Sequence, residues 1–189
     1  MNKKTFCEKF LEELNLCRSN PGNYSEKVRN HMNFISHDIR SDKTDKFVYC
    51  KEGCPTIPLK RGIEAFEECI EILENCPSRD ELEFAPDLNL LIPDDKNYWT
   101  NSEYLVNLIS LKKSDLKNSQ INAFHFDIGS SDAESSLILQ LVDDNSFNGI
   151  RRLNLLNAKY KYIGISHKVT SSVSCSYFFF SDVISQSNN

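Results

Sequence analysis

Along the first third of the chain, apolar side chains recur every three or four residues, the spacing that lines one face of a helix. Phe6, Phe10, Leu14 and Cys17 form the first such stripe. It opens with Thr5-Phe6-Cys7-Glu8, a capping box in which the Thr hydroxyl and the Glu carboxylate each satisfy an amide left over at a helix start. Asn20-Pro21 starts a second helix, with Asn as the cap and Pro in the first turn; Tyr24, Val28, Met32 and Ile35 share one face, and the end falls near His37. From Asp38 to Pro58, charges, Gly53 and two prolines break any period, so this stretch reads as an irregular surface loop. Lys60 to Cys76 gives the clearest helical pattern. Ile63, Phe66, Ile70 and Leu73 make one stripe and Ala65, Cys69, Ile72 and Cys76 a neighbouring one, so the apolar arc is wide and most of the helix is expected to be buried. Pro77 stops it.

Two more capping boxes follow. Thr100 to Glu103 opens a helix through Leu105, Leu108 and Ile109, and Ser131 to Glu134 opens one through Leu137, Ile138 and Leu141. Ala123 to Ile128, Tyr160 to His167 and Val173 to Val183 are rich in aromatic and β-branched residues with partial alternation, the pattern of strands. Early helices followed by a few late strands, with a helix between the first two of them, predict an α+β fold: an α-β-α sandwich with a small antiparallel sheet between helical layers. No repeat is visible. A single domain is expected over residues 1–186, with a disordered tail at Ser187-Asn188-Asn189.

Composition narrows the partners. A chain of 189 residues with 40% hydrophobic and 26% charged residues, including 12 Phe and 7 Tyr, can bury one ordinary core. Against 22 Lys+Arg stand 27 Asp+Glu, a net charge of -5 with no basic cluster, which argues against a nucleic-acid partner. No window approaches the roughly 18 apolar residues of a membrane helix. Phe6 to Leu16 carries Glu8, Lys9, Glu12 and Glu13 where a secretory signal would be apolar, so the sequence as given reads as a soluble, cytoplasmic monomer, or a secreted one if an upstream signal has been removed. Seven cysteines, Cys7, Cys17, Cys50, Cys54, Cys69, Cys76 and Cys175, are an odd set in a chain large enough to need no staples; reduced, partly buried thiols are expected.

Two stretches resemble a known family. Leu14-Asn15-Leu16-Cys17-Arg18-Ser19-Asn20-Pro21-Gly22-Asn23-Tyr24 is similar to the opening pattern of the CAP superfamily, the cysteine-rich secretory, antigen 5 and pathogenesis-related type 1 proteins, in its microbial and protist form. Asp143 to Asn157, followed by Tyr160-Lys161-Tyr162-Ile163-Gly164-Ile165, resembles the family segment in which an Asp-Asp pair precedes Gly-His-Arg and an Asn, with Gly in the next strand; Arg152, Asn154 and Gly164 fall in register. The resemblance implies an α-β-α sandwich with a cavity that in intact members gathers two His and two Glu, in some cases around a divalent metal. Here Arg151 replaces the histidine, Phe124-His125-Phe126 replaces the Glu-Asn-Ile run, and the earlier histidine segment has no counterpart.

These departures remove acid/base chemistry from the implied cavity. An Arg neither gives nor takes a proton near neutral pH, and His125 with one Asp is too small a set for zinc. No cofactor is expected. What remains is a ligand-binding reading, with His125, Asp143, Asp144, Arg151 and Arg152 as candidate contacts and a protein, lipid or small molecule as partner. For the Arg pair beside the Asp pair, an anion-binding spot competes with a structural ion pair that ties the loop to the helix end. Two other classes stay open: a thiol enzyme, for which Cys175 with His167 is the pair to examine, and a metal-stabilised module using Cys50 and Cys54 with Cys69 and Cys76, whose spacings are not those of a zinc ribbon. His31 and His37 read as solvated or capping residues, and the Asn23-Tyr24-Ser25 sequon lies in a helical pattern. Tyr177-Phe178-Phe179-Phe180 reads as a strand buried on both faces.

Overall fold

The structure is a computed structural model that describes residues 4–37, 47–52, 54–91, 121–130, 132–146, 148–169 and 174–183. It divides into two compact units, one drawn from Met1–Asp80 and Gly129–Asn157, the other from Glu81–Ile128 and Ala158–Asn189. Both units are discontinuous, so no linker-like stretch marks either of them in the sequence. The α+β class expected from the patterning is the class of the chain.

The first unit is mainly helical. α1 (Phe6–Ser19) starts with the expected capping box: the Glu8 amide donates to Thr5 Oγ1 at 3.3 Å and the Thr5 amide to Glu8 Oε2 at 2.6 Å. Phe10, Leu14 and Cys17 are buried along its inner stripe. Asn20 ends α1 and caps α2 (Pro21–His31), its side chain accepting the Asn23 amide at 3.2 Å. α2 is six residues shorter than its apolar pattern predicts. A 3-10 turn, Met32–Phe34, follows, and the backbone then straightens into β1 (Ile35–His37). The buried face of α2 is Tyr24, Val28 and His31 rather than Tyr24, Val28 and Met32.

The stretch read as an irregular loop contains two more short strands. β2 (Phe47–Tyr49) and β3 (Ile57–Leu59) complete a three-stranded antiparallel sheet in the order β1-β2-β3. Three-residue strands are too short to show alternation, and Pro58 masks the last one; it is tolerated because β3 lies at the edge, where a missing amide is least disruptive. α3 (Ile63–Asn75) begins three residues later than expected, because the amides before it are held by a distant side chain. Its buried face is Ala65, Phe66, Cys69, Ile70 and Leu73, while Ile63 and Ile72 are exposed, so the arc is narrower than the sequence pattern implied. α4 (Ala133–Val142) is capped by Asp132, whose side chain accepts the Ser135 amide at 3.0 Å; the capping residue is therefore not Ser131, which lies outside the described residues. α5 (Ile150–Leu155) closes the unit. α2 packs along α3, and α1 along α4.

The second unit holds a four-stranded sheet in the order β4-β6-β7-β5: β4 (Glu83–Phe84), β5 (Ala123–Ile128), β6 (Tyr162–Val169) and β7 (Ser174–Ser181). The last three are the strands expected from the sequence, and they pair antiparallel. The sheet as a whole is mixed rather than antiparallel, because the two residues of β4 run parallel to β6. Every residue of β7 is buried. One face of the sheet packs Cys175, Tyr177 and Phe179 with Ala85, Leu88 and Ile121. The helix expected from Thr100 and the tail at 187–189 lie outside the described residues.

Candidate functional site

Four of the five expected contact residues meet at the end of α4. Asp143 is its C-cap and takes the left-handed conformation (φ 48°), which Asp tolerates better than most residues. Its carboxylate accepts the Arg151 amide at 2.9 Å. Asp144 accepts three amides in a row: Lys60, Arg61 at 2.8 Å and Gly62 at 2.8 Å. Both helices served in this way start on a glycine with no side-chain cap of its own, α5 on Gly149 and α3 on Gly62. The adjacent aspartates therefore supply the missing caps from a distance, each placing a negative charge at a helix N-terminus.

The arginines complete the same frame. Arg152 is 5% exposed and donates to the carbonyls of Leu141 at 2.9 Å and Val142 at 3.3 Å, the last turn of α4, and to the Glu68 carboxylate on α3. Arg61 pairs with the other oxygen of Glu68. These two guanidiniums, Arg61 foremost, hold the Glu68 carboxyl below the usual carboxylate range. Gly149 (φ 56°) leaves room for this passage, since a Cβ there would lie 2.7 Å from Arg152 Nη2. Arg151 contributes mainly its amide; its side chain lies 3.9 Å from Asp143. The direct pairing expected between the Arg pair and the Asp pair is reduced to the 3.9 Å approach of Arg151 to Asp143; the aspartates bind backbone amides and Arg152 pairs with Glu68.

Arg18, in the first family-like stretch, is wholly buried and also serves structure. It donates to the carbonyls of Asp80 at 2.8 Å, Leu155 at 2.7 Å and Asn157 at 3.1 Å, fastening the end of α5.

His125 belongs to the other unit. It is buried in β5 with its ring 5.1 Å from that of Phe178 and 5.4 Å from that of Phe180. Cys175 and His167 are not partners: His167 Nδ1 bonds Ser176 Oγ at 2.9 Å and burial pushes its pKa down to about 4, while burial raises the Cys175 thiol. Burial likewise raises Cys17 and pushes Cys69 up to about 12. Among the described residues, no group of three or more His, Cys, Asp or Glu is placed to hold a metal ion, and no helix is long and apolar enough to cross a membrane.

The group that sequence reasoning passed over is centred on His31, which is not solvated but 4% exposed. Its Nε2 lies 3.0 Å from Glu134 Oε1 and its Nδ1 2.8 Å from the Tyr49 hydroxyl, which is 3.3 Å from Ser135 Oγ. Ser135 donates to Asp132 at 2.6 Å, and Lys51 donates to both Asp132 and Ser135 at 2.9 Å. Lys27 joins the other oxygen of Glu134 (3.0 Å) to Glu13 (2.7 Å). The available signal was positional: His31 is three residues after Val28 and seven after Tyr24, on the buried stripe itself.

Comparisons of the chain with protein-family models, with curated proteins and with solved structures returned no match.

Proposed function

We propose that this chain is a divergent CAP-like domain that works by binding a protein, lipid or small ligand, not by catalysis. One observation carries the reading. Three of the four charged side chains at the family-like cluster are engaged in holding the fold: Asp143 and Asp144 cap α5 and α3, and Arg152 braces the end of α4. A general acid or base has to reach substrate and change protonation near neutral pH, and a buried guanidinium bonded to carbonyls does neither. The family resemblance draws support from two placements: Asn20-Pro21 opens α2, and Gly164 lies inside the strand that follows the Arg-rich segment. The competing thiol enzyme needs a stabilised thiolate, and burial moves Cys17, Cys69 and Cys175 the other way.

Native mass spectrometry of freshly purified protein, compared with the denatured mass of 21.8 kDa, tests the proposal. The expected result is extra mass that leaves on denaturation. A bare chain in which one cysteine other than the exposed Cys50 alkylates fast, with a depressed pKa, would turn the assignment toward a thiol enzyme.

A further inference from the structure

The His31 cluster can be read proton by proton. A carboxylate only accepts, so the hydrogen between His31 and Glu134 is on Nε2. Asp132 likewise takes the Ser135 hydroxyl hydrogen, and Lys51 donates to Ser135. With His31 neutral, Nδ1 is an acceptor and must receive the Tyr49 hydroxyl at 2.8 Å; the Tyr49–Ser135 contact at 3.3 Å then carries no hydrogen. With His31 protonated, Nδ1 becomes a donor to Tyr49, and the Tyr49 hydroxyl is released to Ser135. Both arrangements satisfy every group, so the proton count selects between them.

We propose that this cluster is a pH-operated latch: uptake of one proton by His31 turns the Tyr49 hydroxyl onto Ser135 and weakens the hold on Lys51, loosening the bond from the Cys54 amide to the Lys51 carbonyl. The groups that face His31 set the direction. From α4 come Glu134, Asp132 and Ser135; from β2 and its turn, Tyr49 and Lys51; from the 3-10 turn, the Phe34 ring, edge-on at 5.3 Å; from its own helix, Lys27, which links Glu134 to Glu13 of α1. α3, packed along α2, directs Glu74 to Arg29. Lys51 lies 3.9 Å from the Glu134 oxygen that His31 shares. An imidazolium tightens on that oxygen and repels the ammonium while the Tyr49 hydroxyl joins Lys51 on Ser135, so Lys51 leans on Asp132, whose side chain is 45% exposed. The Lys51 carbonyl in turn accepts the Cys54 amide at 3.0 Å, so exchange of that amide reports on Lys51. Burial pushes the His31 imidazole below its ordinary value of 6.5, against the pull of Glu134, so the neutral arrangement holds at neutral pH and the second is entered on acidification.

The test is an NMR titration of the full chain, following the His31 ring, the Tyr49 ring and exchange of the Cys54 amide corrected for its intrinsic pH dependence. All three are expected to change at one midpoint, below the ordinary histidine value. Lys51→Met, which removes a like charge from a partly exposed position, should raise that midpoint by about one pH unit. Tyr49→Phe should leave His31 titrating and weaken, without abolishing, the response of the Cys54 amide, since the repulsion of Lys51 by the imidazolium does not pass through Tyr49. A His31 ring that does not titrate before acid unfolding overturns the latch. So does a titration that leaves Tyr49 and Cys54 unmoved, or one indifferent to Lys51→Met.

Discussion

Asp144 and Gly62, 82 residues apart in sequence, are joined at 2.8 Å, and this bond closes the N-terminus of α3. Gly62 has no side chain with which to cap the helix, and Asp144 has no other role in sight; each explains the other.

Asp144→Ala should therefore destabilise the chain by about 2 kcal/mol, because it leaves three amides leading into α3, the Gly62 amide buried and the others part-buried, without their acceptor. Asp144→Asn, which keeps an acceptor oxygen and loses the charge, should lose less. Denaturant midpoints of the two variants decide it, and equal midpoints would refute the capping role.

Gly62→Ala tests the other side of the same bond. The backbone there has φ 60°, and a Cβ would meet the Phe47 ring at 2.6 Å. Left-handed strain and this clash together predict a loss of about 2–3 kcal/mol, where an alanine at the half-buried Gly22, whose Cβ would meet nothing within 4 Å, should be tolerated.

The Arg61–Glu68–Arg152 triad predicts an acid limb in stability. Glu68 is lowered from 4.5, Arg61 being the first cause, so the native state binds fewer protons than the unfolded chain in this range. Its contribution is present above pH 4.5 and is lost as pH falls through the depressed native value. Thermal melts against pH should show this limb, and Glu68→Gln should flatten it. Arg152→Met should lower stability at every pH, by about 3 kcal/mol, since two carbonyls and a carboxylate lose their donor.

Alkylation should sort the thiols. Cys17, Cys69 and Cys175 are buried and Cys50 is exposed, so a short pulse of alkylating reagent should label Cys50 well before those three, which should react only after denaturation. Peptide mapping reads the order. Rapid native labelling of Cys175 would contradict its place in β7.

Patterning made α1, α3, β5, β6 and β7 legible, because each buries a stripe or run long enough to show its period. β2 and β3 were hidden by their three-residue length, and β4 by its two. The capping frame left little trace in the sequence: Gly62 falls inside the helix expected from Lys60, no helix is expected over 150–155, and the Asp pair reads as a ligand contact or an ion pair. Joining Asp144 to Gly62 takes a contact across 82 residues, whereas Asp143 reaches Arg151 across eight. His31 was missed for a different reason. A histidine on an apolar stripe was read as polar, yet both ring nitrogens are satisfied by residues far away in sequence, Tyr49 and Glu134.

The order of strands in the second sheet constrains how the chain can be made. β7 lies between β6 and β5, yet it is translated after both. Until residues 174–181 leave the ribosome, β5 has no strand to pair with among the described residues, and β6 has only the two residues of β4. The Phe-rich centre of the sheet is thus the last of its described strands to be made, and the long ladders of β5 and β6 can form only once it is present.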